Sequence, residues 1–513
     1  MRARNLGWGW RVTAVGLLPM VAVVALSCES GSSSSDLGPA SPDLSSREDA
    51  ATVEPVVLGA VAPSSGGTAG GTTIALTGSG FRSGSLVRVG GTMASSIQVS
   101  PSGTTITCNT PARLGKPGPV DVVVESPSGS SSTASQAFRY FLSSLAYDAP
   151  SSVAGTDSGP RSVGVADLNK DGSPDLVVVY QTSSTVHSYK NSGTGSFSLS
   201  VNRSVGSAPV GLVIADLDGN GNLDVTTTSQ GASVVSVLLG DGAGSLAPAV
   251  NSSTGGGSQP VSLVAVDANN DGSLDLLTAN AAAAAGSNLG LLLGNKTASF
   301  ALGTPLGTSA AVLVGLTAAD LDGNGKVDVA AIHRLNQLGV TNVSVLQNRG
   351  GATAPLLSLG GAKTNQVNPN AVGSGDFNRD GLVDVVVTND VTPLGKLTLL
   401  SGVSGGQLAD ASAASTNDLD GTPTGLAVAD LDGDGNLDVI VTNTSGVSGN
   451  LSLLRGLGNG KLAASQRIDF PGVTRPSAVA VGDFDRDGIA DLVITDQPTV
   501  GAGAVLIRRG IGM

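Results

Sequence analysis

The residues able to do chemistry in this chain are aspartates, and they recur at fixed spacing. Nonapeptides beginning at Asp167, Asp216, Asp267, Asp320, Asp376, Asp430 and Asp483 each carry Asp at place one, Asp or Asn at places three and five, Gly at six and Asp at nine. In chain order the candidate metal ligands are Asp167, Asn169, Asp171 and Asp175; Asp216, Asp218, Asn220 and Asp224; Asp267, Asn269, Asp271 and Asp275; Asp320, Asp322, Asn324 and Asp328; Asp376, Asn378, Asp380 and Asp384; Asp430, Asp432, Asp434 and Asp438; Asp483, Asp485, Asp487 and Asp491. These loops hold 23 of the 40 acidic residues. Three or four carboxylates in one tight turn raise one another's pKa and oppose folding, and a hard cation removes that penalty. With a backbone carbonyl at place seven the donors are all oxygen, and Gly at six permits a sharp turn, which is calcium chemistry. Magnesium demands a tighter octahedron, and zinc would want His or Cys, which the loops lack. The expected cofactor is Ca2+, up to seven ions, at affinities of about 10⁻⁴ to 10⁻³ M. Asn220 and Asn324 each remove a charge and weaken their sites, whereas the four-Asp loops at Asp430 and Asp483 bind tightest.

The elements that must hold these loops are strands. An apolar run precedes each nonapeptide, as at Ser162 to Ala166 and Ala478 to Val481, and another follows, as at Leu176 to Val179 and Leu492 to Ile494. A third run appears in most copies (Val235 to Leu239, Leu289 to Leu293, Leu451 to Leu454, Ala504 to Ile507), then often a Gly-rich turn and a fourth extended segment. The nonapeptides begin 49 to 56 residues apart. Four strands per fifty-residue repeat describe a propeller blade, and seven nonapeptides imply seven blades. The seventh copy reaches Met513 after its third strand, so Leu142 to Ala149 is expected to complete its sheet and hide the open edges. An EF-hand would need a carboxylate at place twelve and flanking helices. Place twelve is instead Val178, Thr227, Thr278, Ala331, Val387, Val441 or Ile494.

Loops in this strand context resemble the FG-GAP and VCBS repeats, the seven-bladed calcium-binding propellers of integrin alpha subunits and many secreted bacterial proteins. The resemblance spans 142–513 and carries over only as metal ligands. Gly375-Asp376-Phe377 and Gly482-Asp483-Phe484 are the nearest echoes of the Phe-Gly-Gly-Ala-Pro text, which makes VCBS the closer label. Upstream, residues 55–141 show short β-branched runs (Thr72 to Leu76, Leu86 to Val89, Thr104 to Cys108, Val120 to Val124) cut by Gly, Pro and Ser. Gly78-Ser79-Gly80-Phe81, Cys108 with Pro111, and the closing Phe138-Arg139-Tyr140 resemble the IPT/TIG domain, an immunoglobulin-like sandwich of surface receptors and extracellular proteins. The expected fold is therefore all-β, an immunoglobulin-like sandwich followed by a seven-bladed β-propeller. Cys108 reads as a small buried hydrophobe.

Arg2, Arg4 and Arg11 precede an apolar run from Val12 to Leu26, the pattern of an export signal over 1–27. Cys28 follows it and resembles the acylated Cys of a bacterial lipobox, although Ala25 stands where that family prefers Leu; ordinary cleavage after Ser27 is the alternative. Residues 28–54 are Ser- and Pro-rich and read as a tether. The expectation is an exported protein, lipidated at Cys28 on the outer membrane or cell surface, or else secreted, touching membrane only through that anchor. A net charge of −13 argues against a nucleic-acid partner. Without the three signal arginines the charge is −16, and seven Ca2+ bring it to about −2.

No Gly-x-Ser-x-Gly elbow, His-Glu-x-x-His or phosphate loop occurs, and His187 and His333 are solitary, so the expected function is a non-catalytic binding or adhesion module. A structural spacer of the cell envelope is the alternative, and a hydrolase or lyase using carboxylates outside the loops a further one. Both Trp fall in the signal, and the four Tyr are Tyr140, Tyr147, Tyr180 and Tyr189. That favours an extracellular or cell-surface protein partner over a glycan, with Tyr180 and Tyr189 the contacts if a glycan binds.

Overall fold

Each nonapeptide must reverse the chain between two apolar runs, and the runs pair accordingly. The computed structural model describes residues 55–282, 288–306, 312–334, 341–349, 356–391, 393–412, 415–445, 448–498 and 502–512. The expected signal (1–27) and tether (28–54), with Cys28, lie outside the described residues. The described residues are all-β, with no α-helix.

The sandwich has two sheets. One orders Val57–Ala62, Thr73–Ser79, Thr105–Asn109 and Ser95–Val99; the other orders Ser65–Gly67, Ser131–Phe141, Gly118–Glu125, Leu86–Val89 and Thr92–Met93. Strict alternation in Thr73–Ser79 and Gly118–Glu125 drives Ile74, Leu76, Val120, Val122 and Val124 inward against Phe138 and Tyr140. The Tyr140 hydroxyl donates to Pro111 O at 2.8 Å, which satisfies its one polar atom inside the core. Cys108 is buried among these residues, and burial pushes its thiol up to about 11.

Downstream, the described residues form seven four-stranded antiparallel sheets. The first consists of Pro160–Ala166, Asp175–Tyr180, Thr185–Asn191 and Phe197–Ser204, with Ala166 opposite Asp175 across the first nonapeptide. The first strands of successive sheets touch in chain order, and the last of them, Pro476–Gly482, also touches Pro160–Ala166. Six of these first strands carry Pro160, Pro209, Pro260, Pro369, Pro423 or Pro476 at or next to their start, each followed by a register shift. Proline cannot donate to a ladder, so it occupies the strand start and a bulge absorbs the mismatch.

The second strand of each sheet is buried along its first six residues, because the sheets on either side cover both of its faces. Hence the near-continuous apolar text of Leu176 to Val179 or Leu492 to Ile494. Apolar clusters lie between neighbouring sheets. Val177, Val179 and Val186 meet Val225 and Leu238, while Leu176, Val178 and Tyr189 meet Phe484, Val493 and Val505 across the junction of the last sheet with the first.

The last sheet is completed from upstream, by a different segment from the one expected. Ser151–Ser152 pairs with Ala504–Arg508 as its fourth strand, whereas Leu145–Tyr147, inside the expected Leu142 to Ala149, pairs with Gly510–Gly512 in a separate two-stranded ladder. The chain after Arg508 swings out of the sheet, so the two upstream pieces divide the work.

One second strand departs from the apolar rule. Asp224–Ser229 contains three buried threonines. Thr227 Oγ1 donates to Gly211 O at 2.7 Å, and Thr228 Oγ1 accepts from Gly211 N at 2.8 Å. Thr226 Oγ1 is buried with no partner, at a place where the other sheets have Val177, Leu277, Ala330, Val386, Ile440 and Val493. Thr226→Val keeps the shape and removes an unmet hydroxyl, so chemical denaturation should show a gain of about 1 kcal/mol; a loss would contradict the packing described.

Candidate metal centre

The seven loops share one hydrogen-bond pattern. The place-one carboxylate accepts from the N–H of the place-six glycine, at 2.8 to 3.0 Å in every loop. The place-three oxygen accepts from the place-five N–H, and the place-five oxygen from the place-seven N–H. Gly at six has φ between 81° and 88° in all seven, as its expected role requires. The side chain at place two (Leu168, Leu217, Ala268, Leu321, Phe377, Leu431 or Phe484) is buried and plugs the loop onto the sheet.

Place nine has a role that composition and spacing did not disclose. Asp175, Asp224, Asp275, Asp328, Asp384, Asp438 and Asp491 are all fully buried at the head of the second strand. One carboxylate oxygen of each accepts the place-two N–H. The other accepts an N–H at or just beyond the end of the third strand: Asn191, Gly240, Gly294, Asn348, Gly402, Gly456 or Gly510. A single carboxylate thus ties loop, second strand and third strand together. The signal was available, since Asp persists at nine while places three and five exchange with Asn.

Carboxylate oxygens from places one, three and nine lie within 4.8 Å of one another in four loops: Asp216, Asp218 and Asp224; Asp320, Asp322 and Asp328; Asp430, Asp432 and Asp438; Asp483, Asp485 and Asp491. The fourth acid of loops six and seven, Asp434 or Asp487 at place five, stands outside its group. In loops one, three and five the place-three residue is Asn, and the amides of Asn169, Asn269 and Asn378 donate to the place-five carboxylates of Asp171, Asp271 and Asp380 at 2.8 to 2.9 Å. The place-one and place-nine acids of these loops, Asp167 with Asp175, Asp267 with Asp275, and Asp376 with Asp384, keep the shared bonds described above.

Burial, and after it neighbouring carboxylates, pushes Asp438 and Asp491 up to about 7 and Asp175, Asp328 and Asp384 up to about 6. Asp432 rises to about 6 for the same reasons. No ion pair among the described residues reaches a place-nine acid, the donors are all oxygen, and four loops gather three carboxylates, so the groups fit a hard divalent cation.

Place four was also missed. Lys170, Gly219, Asn270, Gly323, Arg379, Gly433 and Arg486 all have φ between 57° and 79°, left-handed in every loop. Gly or Asn at four of the seven was the available hint. Three of these side chains reach the next loop. Lys170 Nζ donates to Asn222 Oδ1 at 2.7 Å, Arg379 Nη2 to Asp434 O at 3.4 Å, and Arg486 of the seventh loop to Asp171 O of the first at 2.7 Å.

The expected glycan contacts are corrected. Tyr180 and Tyr189 are fully buried with their hydroxyls 2.7 Å apart, because the second and third strands turn them into the junction with the last sheet. His187 is buried beside them, 3.1 Å from the Tyr189 hydroxyl, and His333 Nε2 lies 2.7 Å from Ser344 Oγ. Burial lowers both imidazoles, His333 to about 4, while Asp157, 3.7 Å from His187 Nε2, opposes the shift at His187.

Residues 55–140 match the IPT/TIG domain, and residues 167–227, 216–278, 376–441 and 437–494 match the FG-GAP-like repeat. The chain therefore carries an IPT/TIG domain and four FG-GAP-like repeats. The nonapeptide at Asp320 lies outside the matched ranges although its hydrogen bonds are those of the others. No curated protein matches. The similar solved structures are propeller-like. They include an Agrocybe aegerita lectin that recognises non-reducing terminal N-acetylglucosamine, at 16% identity over 75% of this chain and 94% of that one, with a TM-score of 0.44. An auxiliary nutrient binding protein from Bacteroides ovatus is 12% identical over 89% of this chain and 98% of its own, TM-score 0.39. BBS1N, solved in complex with ARL6DN, is 12% identical over 71% and 96%, TM-score 0.45.

A pH dependence follows from the buried acids. Their folded pKa values lie above that of an unfolded aspartate, so between about pH 4 and pH 7 the metal-free fold binds more protons than the unfolded chain, and its stability falls as pH rises through that window. Thermal melts in chelator should give a lower Tm at pH 7.5 than at pH 5. A Tm that climbs across the window would contradict the burial of these carboxylates.

Proposed function

We propose that this is an exported, surface-tethered protein whose seven sheets form a seven-bladed, calcium-binding propeller serving as a non-catalytic binding or adhesion module. The observation that carries the reading is the common bonding of seven loops whose buried carboxylates are left short of positive charge. Ca2+ would be held by side-chain oxygens at places one, three, five and nine and by the place-seven carbonyl, supplying charge neutralisation rather than catalysis. The contact between the first strands of the first and last sheets supports a closed ring.

An extracellular or cell-surface protein is the partner this reading favours. The tyrosine pair that would have offered a glycan platform is in the core, and the two histidines are buried. Export, and lipidation at Cys28, rest on the N-terminal sequence alone.

The test is a screen of the calcium-loaded protein on arrays of extracellular proteins and glycans, repeated in chelator. Discrete protein hits that disappear with the calcium are the expected result. Silence on both arrays would favour an envelope spacer, and hits confined to glycans would overturn the choice of partner.

A further inference from the structure

Loop six, 430–438, differs from its siblings in what covers it. The IPT/TIG domain rests on it. Arg139, in the last strand of the sandwich, donates through Nη1 to Gly433 O at 3.2 Å, and the same nitrogen lies 3.8 Å from Asp430 Oδ2. Leu142, the residue after that strand, donates its N–H to Asp432 O at 2.8 Å and is buried in one cluster with Leu431. Pro117 of the sandwich lies so close to Gly433 that a Cβ there would come within 2.5 Å of it. Arg455 joins the two sides, 3.3 Å from Asp432 Oδ2 and donating to Ser143 O at 3.2 Å. Asp432 is 2% exposed, whereas the place-three acids grouped in loops two, four and seven are half-buried.

The docking atoms are carbonyls of places three and four, and their direction is set by the loop itself. Gly433 N donates to Asp430 Oδ1 and Asp434 N to Asp432 Oδ1, with Gly433 at φ 79°. Glycine is required there twice over, for the left-handed backbone and for the approach of Pro117. Lys170, Arg379 and Arg486 at the same place in other loops would collide with the sandwich. Four carboxylates in loop six face three guanidinium groups, those of Arg139, Arg379 and Arg455, so without a cation the like-charge repulsion among the acids is only partly offset and favours an open loop whose carbonyls no longer meet Arg139 and Leu142.

We propose that loop six, closed around its cation, is the docking surface for the IPT/TIG domain, so that the metal in this one loop fixes the sandwich on the ring. The proposal rests on the calcium reading above. By linkage the docked domain then strengthens calcium binding at loop six.

The experiment follows hydrogen exchange at the Leu142 amide in the full mature chain, in millimolar calcium and in chelator, with bound calcium measured on the same samples. Exchange is expected to be slow in calcium and fast in chelator. Asp434→Asn, which places in loop six the residue that loops two and four already carry, should raise several-fold the calcium concentration needed to protect that amide. Asp487→Asn in loop seven should leave that concentration unchanged. Equal protection of Leu142 with calcium bound and with calcium removed would overturn the coupling while leaving the calcium reading intact. A chain that binds no calcium in either buffer would overturn both.

Discussion

A carboxylate with no exposed surface stands at the head of the second strand of all seven sheets, and the repeat is organised around it. Its two oxygens hold the loop on one side and the third strand on the other, so an apolar substitute would leave two buried N–H groups without acceptors. The same carboxylate lies beside others whose charges it cannot escape. Hydrogen bonding stabilises the anion and burial opposes it, and at Asp438 and Asp491 burial prevails. A divalent cation shared with places one and three would reverse that outcome without disturbing the clamp, because a carboxylate oxygen that accepts one N–H retains a second lone pair.

The loops are also not independent of one another. Place-four side chains link the seventh loop to the first, the first to the second and the fifth to the sixth. Asn191 Nδ2 donates to Phe484 O at 2.8 Å across the junction of the first and last sheets, and Ser477 Oγ to Pro160 O at 3.1 Å. Charge neutralisation at a linked loop would therefore be felt by the sheet that carries it and by the one loop its place-four side chain reaches.

Much of this was legible in the sequence because the repeat compares the chain with itself seven times. The strand Leu289–Leu293 and the strand Leu86–Val89 fall where their apolar runs place them, and Gly172 and its equivalents adopt the left-handed backbone that a turn at place six demands. What escaped was set by contacts between distant segments. Nothing in the text around Tyr180 and Tyr189 says that they face a neighbouring sheet, since an aromatic in a β-branched run suits either a core or a binding face. The choice of Ser151–Ser152 over Leu145–Tyr147 as the last fourth strand depends on where the chain leaves the sandwich, and the docking of Arg139 on Gly433 joins residues 294 positions apart. Place four was hidden because Lys and Arg seldom adopt a left-handed backbone, and only the shared hydrogen bonds of the loop hold them there.

The central claim is that a divalent cation lies among the clustered carboxylates, and diffraction from crystals grown in calcium, collected at a wavelength where calcium scatters anomalously, tests it most directly. The account predicts anomalous peaks within coordination distance of the grouped oxygens at Asp216, Asp320, Asp430 and Asp483. Loops that keep the same hydrogen bonds and show no anomalous density in saturating calcium would contradict it.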